Sequence, residues 1–292
     1  MRILILGGAG MLGHRLWIEL SREHEVWATI RSNRDDLPAI PGIDRSRLFD
    51  SVDVTSPDQL TRVIGDAHPE LVINCVGLVK QRSAANDSLL AIEVNSMLPH
   101  RLANACLAAG SRLVHVSTDC VFSGRDGSYT EGSMPDAEDL YGRTKLLGEV
   151  AYPHTITLRT SIIGRELSTR QGLVEWFLAQ KSRVRGYKRS RFSGVTTHEF
   201  ARVVSEYVVP RADLAGLYHL SSSPITKFEL LEELGGAYRR DIEIAPESET
   251  VCDRTLDSTR FRTATGFAPR TWPEMVKEMA SDSFLYSGGG RD

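Results

Sequence analysis

The sequence predicts an α/β protein: a doubly wound parallel sheet followed by a smaller, mixed α/β lobe. Three observations carry that expectation. The chain opens with an apolar run, Ile3 to Leu6, that ends in a glycine-rich turn. Short apolar runs then alternate with segments of helical period as far as about residue 163, the pattern of parallel strands joined by crossover helices. Past Pro153 the pattern loosens into shorter, less regular pieces, as a second lobe would.

Residues 2–6 read as a strand buried on both faces. Gly7-Gly8-Ala9-Gly10-Met11-Leu12-Gly13 follows, and Leu12, Leu16 and Leu20 then recur every four residues. Strand, glycine turn and helix in succession give this spacing its meaning. The glycines let the backbone turn tightly and approach a pyrophosphate, whose charge sits at the helix N-terminus. A Rossmann-type dinucleotide-binding domain is expected over 1–163, completed by about 196–212. A substrate-binding lobe is expected over 164–282 and a frayed tail over 283–292. Gly7, Gly10, Met11, Leu12 and Gly13 are the first candidate cofactor contacts.

Val26–Ile30 reads as the second strand. An NAD enzyme places an acid on the ribose about 20 residues past the glycine turn. Here Arg31, Ser32, Asn33 and Arg34 stand instead, and guanidinium groups suit a 2′-phosphate. Arg31 and Arg34 therefore favour NADP(H) over NAD(H), with Asp35 and Asp36 close behind them. A third strand is expected from Leu48-Phe49 to Val54. Asp53 at its end either meets an adenine amino group beside Val54 or is a loop aspartate without a ligand. Leu60, Val63 and Ile64 mark one face of a helix over 58–65. A fourth strand over 71–77 brings Cys75, Val76 and Gly77 to the cofactor. The helical stretch 87–109 is interrupted around Asn95–Pro99, because proline disfavours helix in the residue before it. Gly110 ends it. Arg112–Ser117 is the fifth strand, with Ser117 and Thr118 at the carboxyl end, where such sheets bind ligands.

Thr155–Ile163 reads as a strand and 172–180 as a helix facing inward through Val174, Phe177 and Leu178. A basic run, Arg183 to Arg191, follows; it is either a solvated face or a diphosphate contact. A helix over 198–209, a strand over 216–220 and a helix over 226–234, capped by Thr226, complete the lobe.

The stretch 117–149 holds the chemistry. Tyr141 and Lys145 stand one helical turn apart on one face, 23 residues past Thr118. A phenol titrates near 10. An ammonium at about 4 Å is worth up to ~4 kcal/mol at an effective dielectric of 20, enough to lower the phenol by up to ~3 units before desolvation opposes it. Tyr141 is then a proton donor to a carbonyl oxygen while hydride reaches the carbon. Lys145 tunes it and binds the nicotinamide ribose, and Thr118 hydrogen-bonds the carbonyl.

Composition bounds the alternatives. The chain has 292 residues, 25% of them charged, and a formal charge of −3, so it is not an obvious polyanion binder and no nucleic-acid partner is expected. Its four cysteines form no C-x-x-C pair, which argues against a disulfide framework or zinc site and for a reducing compartment. The histidines show no metal-ligand spacing. No segment approaches a membrane span, and the opening apolar run is too short for a signal-peptide core. A cytoplasmic protein without a membrane partner is the expectation.

Gly7–Gly13, Ser117–Gly124, Tyr129-Thr130-Glu131 and Tyr141–Glu149 resemble the extended short-chain dehydrogenase/reductases, and more closely their dTDP-4-dehydrorhamnose reductase branch. Leu158-Arg159-Thr160-Ser161, Gly216-Leu217-Tyr218-His219 and Asp253-Arg254-Thr255-Leu256-Asp257-Ser258 match as well. The resemblance implies NADP(H)-dependent reduction of the 4-keto group of a nucleotide-linked 6-deoxysugar, for deoxysugar or polysaccharide synthesis. It implies catalytic roles for Thr118, Asp119, Tyr141 and Lys145. Related dehydratases carry a glutamate after Thr-Asp, where this chain has Cys120, so elimination is disfavoured; epimerases usually have Ser-Ser in place of Thr-Asp. The reductases typically have a sugar-contacting tyrosine at the position of Cys120, so the identity of the sugar stays open. Cys120, Val121, Phe122, Trp176 and Arg254 are the candidate substrate contacts, with a core role open for Trp176. Phe192 is weighed in the same way. A homodimer is a further possibility. The alternatives are a non-catalytic NADP-binding regulatory subunit, like that of methionine adenosyltransferase, and a sugar-nucleotide epimerase.

Overall fold

The structure, a computed structural model, describes residues 1–79, 87–168, 170–282 and 286. Its strands and helices are β1 (Arg2–Leu6), α1 (Gly13–Leu20), β2 (Glu25–Thr29), β3 (Leu48–Phe49), α2 (Pro57–Ala67), β4 (Leu71–Asn74), α3 (Ser88–Ala91), α4 (Leu98–Ala109), β5 (Arg112–Thr118), α5 (Leu140–Leu147), β6 (Thr155–Thr160), β7 (Ile162–Ile163), α6 (Leu173–Leu178), β8 (Arg183–Tyr187), β9 (Ser190–Phe192), β10 (Val195–Thr196), α7 (Thr197–Val203), β11 (Gly216–His219), β12 (Ile225–Thr226), α8 (Lys227–Ala237), β13 (Glu243–Glu247), β14 (Cys252–Arg254), α9 (Thr259–Thr265) and α10 (Trp272–Ser281). They fall into two units. The first holds Met1–Thr118, Glu138–Arg159 and Ala201–Tyr218; the second holds Asp119–Ala137, Thr160–Phe200 and His219–Asp292.

The first unit is built on a seven-stranded sheet in the order β11-β6-β5-β4-β1-β2-β3. Its central pairs are parallel, with Leu4 opposite both Trp27 and Val72, and Val72 opposite Leu113. The near-continuous apolar runs follow from that placement: Ile3 to Leu6 and Leu71 to Ile73 have no exposed surface. On one sheet face Leu4, Leu6, Val72 and Leu113 pack with Leu60, Val63 and Ile64 of α2 and Leu98, Leu102 and Cys106 of α4. Each such side chain contributes about 1.5–3 kcal/mol when fully buried, which outweighs the weak helix preference of the β-branched residues in α2.

Two expectations change here. The third strand is only Leu48–Phe49, because Ser51 turns at φ 55° and its N–H bonds back to the Ser32 carbonyl. The interruption in the 87–109 helix is a π-helical turn over Ile92–Met97, centred on Asn95, and Pro99 sits in the tolerated first turn of α4.

The second unit is more irregular. β8 and β13 pair in parallel, and β12, β9 and β14 form a three-stranded sheet. The basic run thus lies largely on strands, and Arg183 pairs with Glu243 across β8 and β13 at 3.2 Å. Thr226 caps α8 as expected: its Oγ1 accepts from the Glu229 N–H at 3.1 Å, and the Glu229 carboxylate accepts from the Thr226 N–H at 2.8 Å. The expected frayed tail, Tyr286 aside, lies outside the described residues.

Candidate active site

The glycine turn joins β1 to α1. Gly7 adopts φ +85°, and a Cβ on Gly13 would stand 2.1 Å from the Gly7 carbonyl oxygen. Only glycine at position 13 lets α1 start this close to the turn. No side chain caps α1 at Leu12, and within the first turn the His14 N–H donates to the Gly10 carbonyl at 3.1 Å, so no Ser or Asp competes with an anionic ligand at this helix start. These features fit a dinucleotide pyrophosphate, with Gly10, Met11 and Leu12 supplying backbone. Gly7 N–H also meets Thr29 Oγ1 at 3.3 Å, tying the turn to the end of β2.

The flanking candidates are placed differently from one another. Arg34 donates through Nε and Nη2 to Asp50 Oδ1, at 3.1 and 2.7 Å, and that pairing raises its pKa. Arg31 is exposed. Asp53 is exposed too, and its Oδ1 accepts from the N–H and hydroxyl of Thr55 at 2.9 and 2.7 Å, which lowers its pKa. Its local role is a turn. Val54, Cys75, Val76 and Gly77 are all half-buried in the same unit.

β5 ends in Ser117 and Thr118, both buried. α5 follows with Asp139 as its cap, accepting from Gly142 N–H at 2.9 Å. It carries Tyr141, half-buried, and Lys145, 5% exposed. Lys145 Nζ donates to the Val116 carbonyl at 2.7 Å, which holds the ammonium against β5 two residues before Thr118. Burial brings its pKa down to about 8, while Glu149 and Cys75 act in the opposite direction.

Four side chains to which the sequence reading gave no role, Glu149, Arg159, Asn95 and His115, hold this arrangement. Glu149 pairs with Arg159 of β6 through Nε and Nη2, at 2.7 and 2.6 Å, and its Oε1 also accepts from Ser117 Oγ at 2.6 Å. Both partners of the ion pair are nearly inaccessible. Asn95, in the π turn, accepts from Leu78 N–H at 2.9 Å and donates to Thr144 Oγ1 of α5 at 3.2 Å. A Cβ on Gly148 would stand 1.9 Å from the Asn95 carbonyl oxygen, so glycine there is a packing requirement. The only sequence trace of Asn95 was the helix interruption itself. Below Lys145, His115 is fully buried, and its Nδ1 lies 3.2 Å from Asn74 Nδ2. Asn74 Oδ1 takes the Val76 N–H, so Nδ2 is the donor and the ring accepts at Nδ1. Burial keeps this imidazole neutral.

Asp119 and Cys120 lie in the second unit, on the short turn Asp119–Val121. Val121 and Phe122, expected at the substrate, have no exposed surface, and Phe122 stacks on Tyr129 at 4.1 Å between ring centres. Their side chains are core, a correction to the expectation. Arg254 donates to the carbonyls of Phe122 and Ser123 at 2.8 and 3.2 Å, so much of its guanidinium holds the loop. Trp176 is 40% exposed, against the core reading. Phe192 is the reverse, buried against Trp272 at 5.4 Å between ring centres. The remaining motif pieces interlock: Glu131 accepts from His219 N–H at 2.7 Å, the Tyr129 carbonyl accepts from Asp257 N–H at 2.7 Å, and Ser128 N–H donates to Thr255 Oγ1 at 2.7 Å. Among the described residues no group of His, Cys, Asp and Glu could hold a metal ion, and no helix is long and apolar enough to cross a membrane.

Parallel sheet, glycine turn, strand-end Thr118 and the Tyr141–Lys145 pair together define the architecture of an extended short-chain dehydrogenase/reductase. Within that class the chain belongs to the RmlD substrate binding domain family, whose model matches residues 1–284. It is 31% identical over 169 residues to a dTDP-4-dehydrorhamnose reductase of Mycobacterium tuberculosis, covering 55% of this chain and 49% of that one. It is 29% identical over 151 residues to methionine adenosyltransferase 2 subunit beta of Mus musculus, 51% of this chain and 42% of that one. The matches thus span about half the length of these relatives or less. Among solved structures, dTDP-4-dehydrorhamnose reductase of Bacillus anthracis in complex with NADP superposes with a TM-score of 0.78 at 21% identity, over 97% of this chain and 99% of that one. The Bordetella bronchiseptica enzyme WbmG in complex with NAD gives 0.75 at 20% identity, over 98% and 94%. At such identities the likeness is one of fold.

Proposed function

We propose that this chain is an NADP(H)-dependent reductase of the 4-keto group of a nucleotide-linked 6-deoxysugar. The observation that carries the reading is the placement of Lys145: an ammonium buried on the α5 face that carries Tyr141, and hydrogen-bonded to β5 just before Thr118. Burying that charge costs stability, and a carbonyl-reducing site gives it a use. When bound, a reduced nicotinamide supplies the hydride. Tyr141 gives its phenolic proton to the carbonyl oxygen as the carbon is reduced, Thr118 donates a hydrogen bond to that oxygen, and Asp119 positions the sugar. Lys145 favours the phenolate that remains and holds the ribose hydroxyls.

The preference for NADP(H) rests on Arg31. Both Arg31 and Arg34 are exposed, but Arg34 is paired to Asp50, which leaves Arg31 as the guanidinium of that loop better suited to a 2′-phosphate. Support for the substrate class comes from the dTDP-4-dehydrorhamnose reductase relatives and from the absence of a glutamate after Thr118-Asp119. The test is to mix the protein with NADPH and a panel of dTDP-, UDP- and GDP-4-keto-6-deoxysugars and to follow the nicotinamide absorbance. Stoichiometric oxidation with one of them supports the reading, and no oxidation with any of them sinks it. An epimerase would turn over without net NADPH loss.

The likeness to methionine adenosyltransferase 2 subunit beta supports a second reading, a cofactor-binding regulatory subunit. It predicts NADP binding without turnover. The intact pair Tyr141 and Lys145 weighs against it, because a scaffold gains nothing from a buried ammonium.

A further inference from the structure

In the second unit, the three-stranded sheet aligns Ile225, Phe192 and Arg254 in one row across β12, β9 and β14. Residues in register on neighbouring strands project from the same face. Phe192 therefore has Arg254 on one side, while Lys227, two residues past Ile225, reaches over it from the other. Lys227 Nζ lies 3.7 Å from the centre of the Phe192 ring. Arg254 ties the loop after Cys120 to this strip through the Phe122 and Ser123 carbonyls. The titratable groups around the ammonium are Asp119, Cys120, Cys252 and Arg254, and burial lowers its pKa.

Three of the neighbouring cations already have partners. Arg191 pairs with Asp253 at 3.5 Å, Arg183 pairs with Glu243, and Lys188 rests on Phe228. Among the described residues, Lys227 has no hydrogen-bond or ion-pair partner. A half-buried ammonium supported by a ring face, with a guanidinium beside it and the Asp119 carboxylate acting on it only through space, keeps its hydrogen bonds available for an anion. This cluster includes Asp119 and Cys120, the turn at which the substrate is expected.

We propose that Lys227, with Arg254 beside it, reads an anionic oxygen group of the substrate, a diphosphate or a sugar carboxylate. The inference rests on the reading of this unit as the substrate-binding lobe. Lys227 is a specificity residue, acting on binding and not on the proton.

The test is equilibrium binding by calorimetry of dTDP, UDP, GDP, thymidine and UDP-glucuronate to the wild-type protein, Lys227→Met, Lys227→Arg and Arg183→Met. NADP+ binding serves as the check on folding. A lost hydrogen bond to a charged group predicts a roughly 10- to 100-fold weaker affinity in Lys227→Met, partial recovery in Lys227→Arg and no change in Arg183→Met. Loss on the nucleoside diphosphates identifies the diphosphate as the source; loss confined to UDP-glucuronate identifies the carboxylate. Equal affinities in wild type and Lys227→Met, or no binding of any ligand to the wild type, overturn the proposal. None of these measurements needs turnover, so a failure of the reductase reading is seen separately.

Discussion

At Lys145 a backbone carbonyl takes the ammonium's hydrogen bond, and burial sets its acidity. A lysine lowered to about 8 is charged at neutral pH and loses its proton well before an exposed lysine does. If the charged form supports proton transfer from Tyr141, kcat/KM falls as pH rises through about 8, and a pH-rate profile shows that alkaline limb. Glu149 acts to raise this pKa, so Glu149→Gln moves the limb to lower pH. The stability contribution has the opposite sense. The penalty for burying the charge is fully present below the folded pKa and is relieved as pH climbs toward the ordinary lysine value. On the cofactor side, Arg31→Ala is expected to raise KM for NADPH by roughly 10- to 100-fold, the worth of a hydrogen bond to a charged group, and to leave KM for NADH nearly unchanged. Equal effects on both cofactors would remove Arg31 from the 2′-phosphate.

At the scale of elements, α5 is located by what packs around it. Gly148→Ala forces its Cβ onto the Asn95 carbonyl and is expected to cost about 1–3 kcal/mol or more, readable as a lower urea midpoint. Glu149→Gln leaves Arg159 buried beside a neutral partner, a loss of about 3–5 kcal/mol. The double variant Glu149→Gln with Arg159→Met recovers much of it if the ion pair, rather than packing, is responsible. These elements show why the sequence was informative in one place and silent in another. The glycine turn, the strands β1, β4 and β5 and the Tyr-x-x-x-Lys helix announce themselves through local spacing. The π turn at Asn95 depends on Thr144, far along the chain, the Glu149–Arg159 pair joins the chain just past α5 to β6 with no fixed spacing, and the strands of the second unit are runs of only two to five residues. Val121 and Phe122 were placed at the substrate by position along the chain, whereas the stack on Tyr129 turns Phe122 into core. Lys227 carried no local pattern at all.

For the whole molecule, the two units divide the work between Thr118 and Asp119, where the chain passes from one to the other. The first unit carries the glycine turn, Tyr141 and Lys145; the second carries Asp119, Cys120 and the Lys227 strip. A cofactor that binds the folded first unit raises its stability, by about 2.7 kcal/mol at 100 times its Kd, so NADP+ is expected to raise Tm more than NAD+ at equal concentration. The central claim is that Tyr141 is the proton donor of a carbonyl reduction. It is tested most directly by comparing Tyr141→Phe with the wild type on the 4-keto sugar nucleotide that the wild type consumes, with NADPH binding measured in parallel. The account predicts a loss of roughly 10²- to 10⁴-fold in kcat, the usual contribution of a positioned general acid, with NADPH affinity retained. Undiminished turnover by Tyr141→Phe contradicts it.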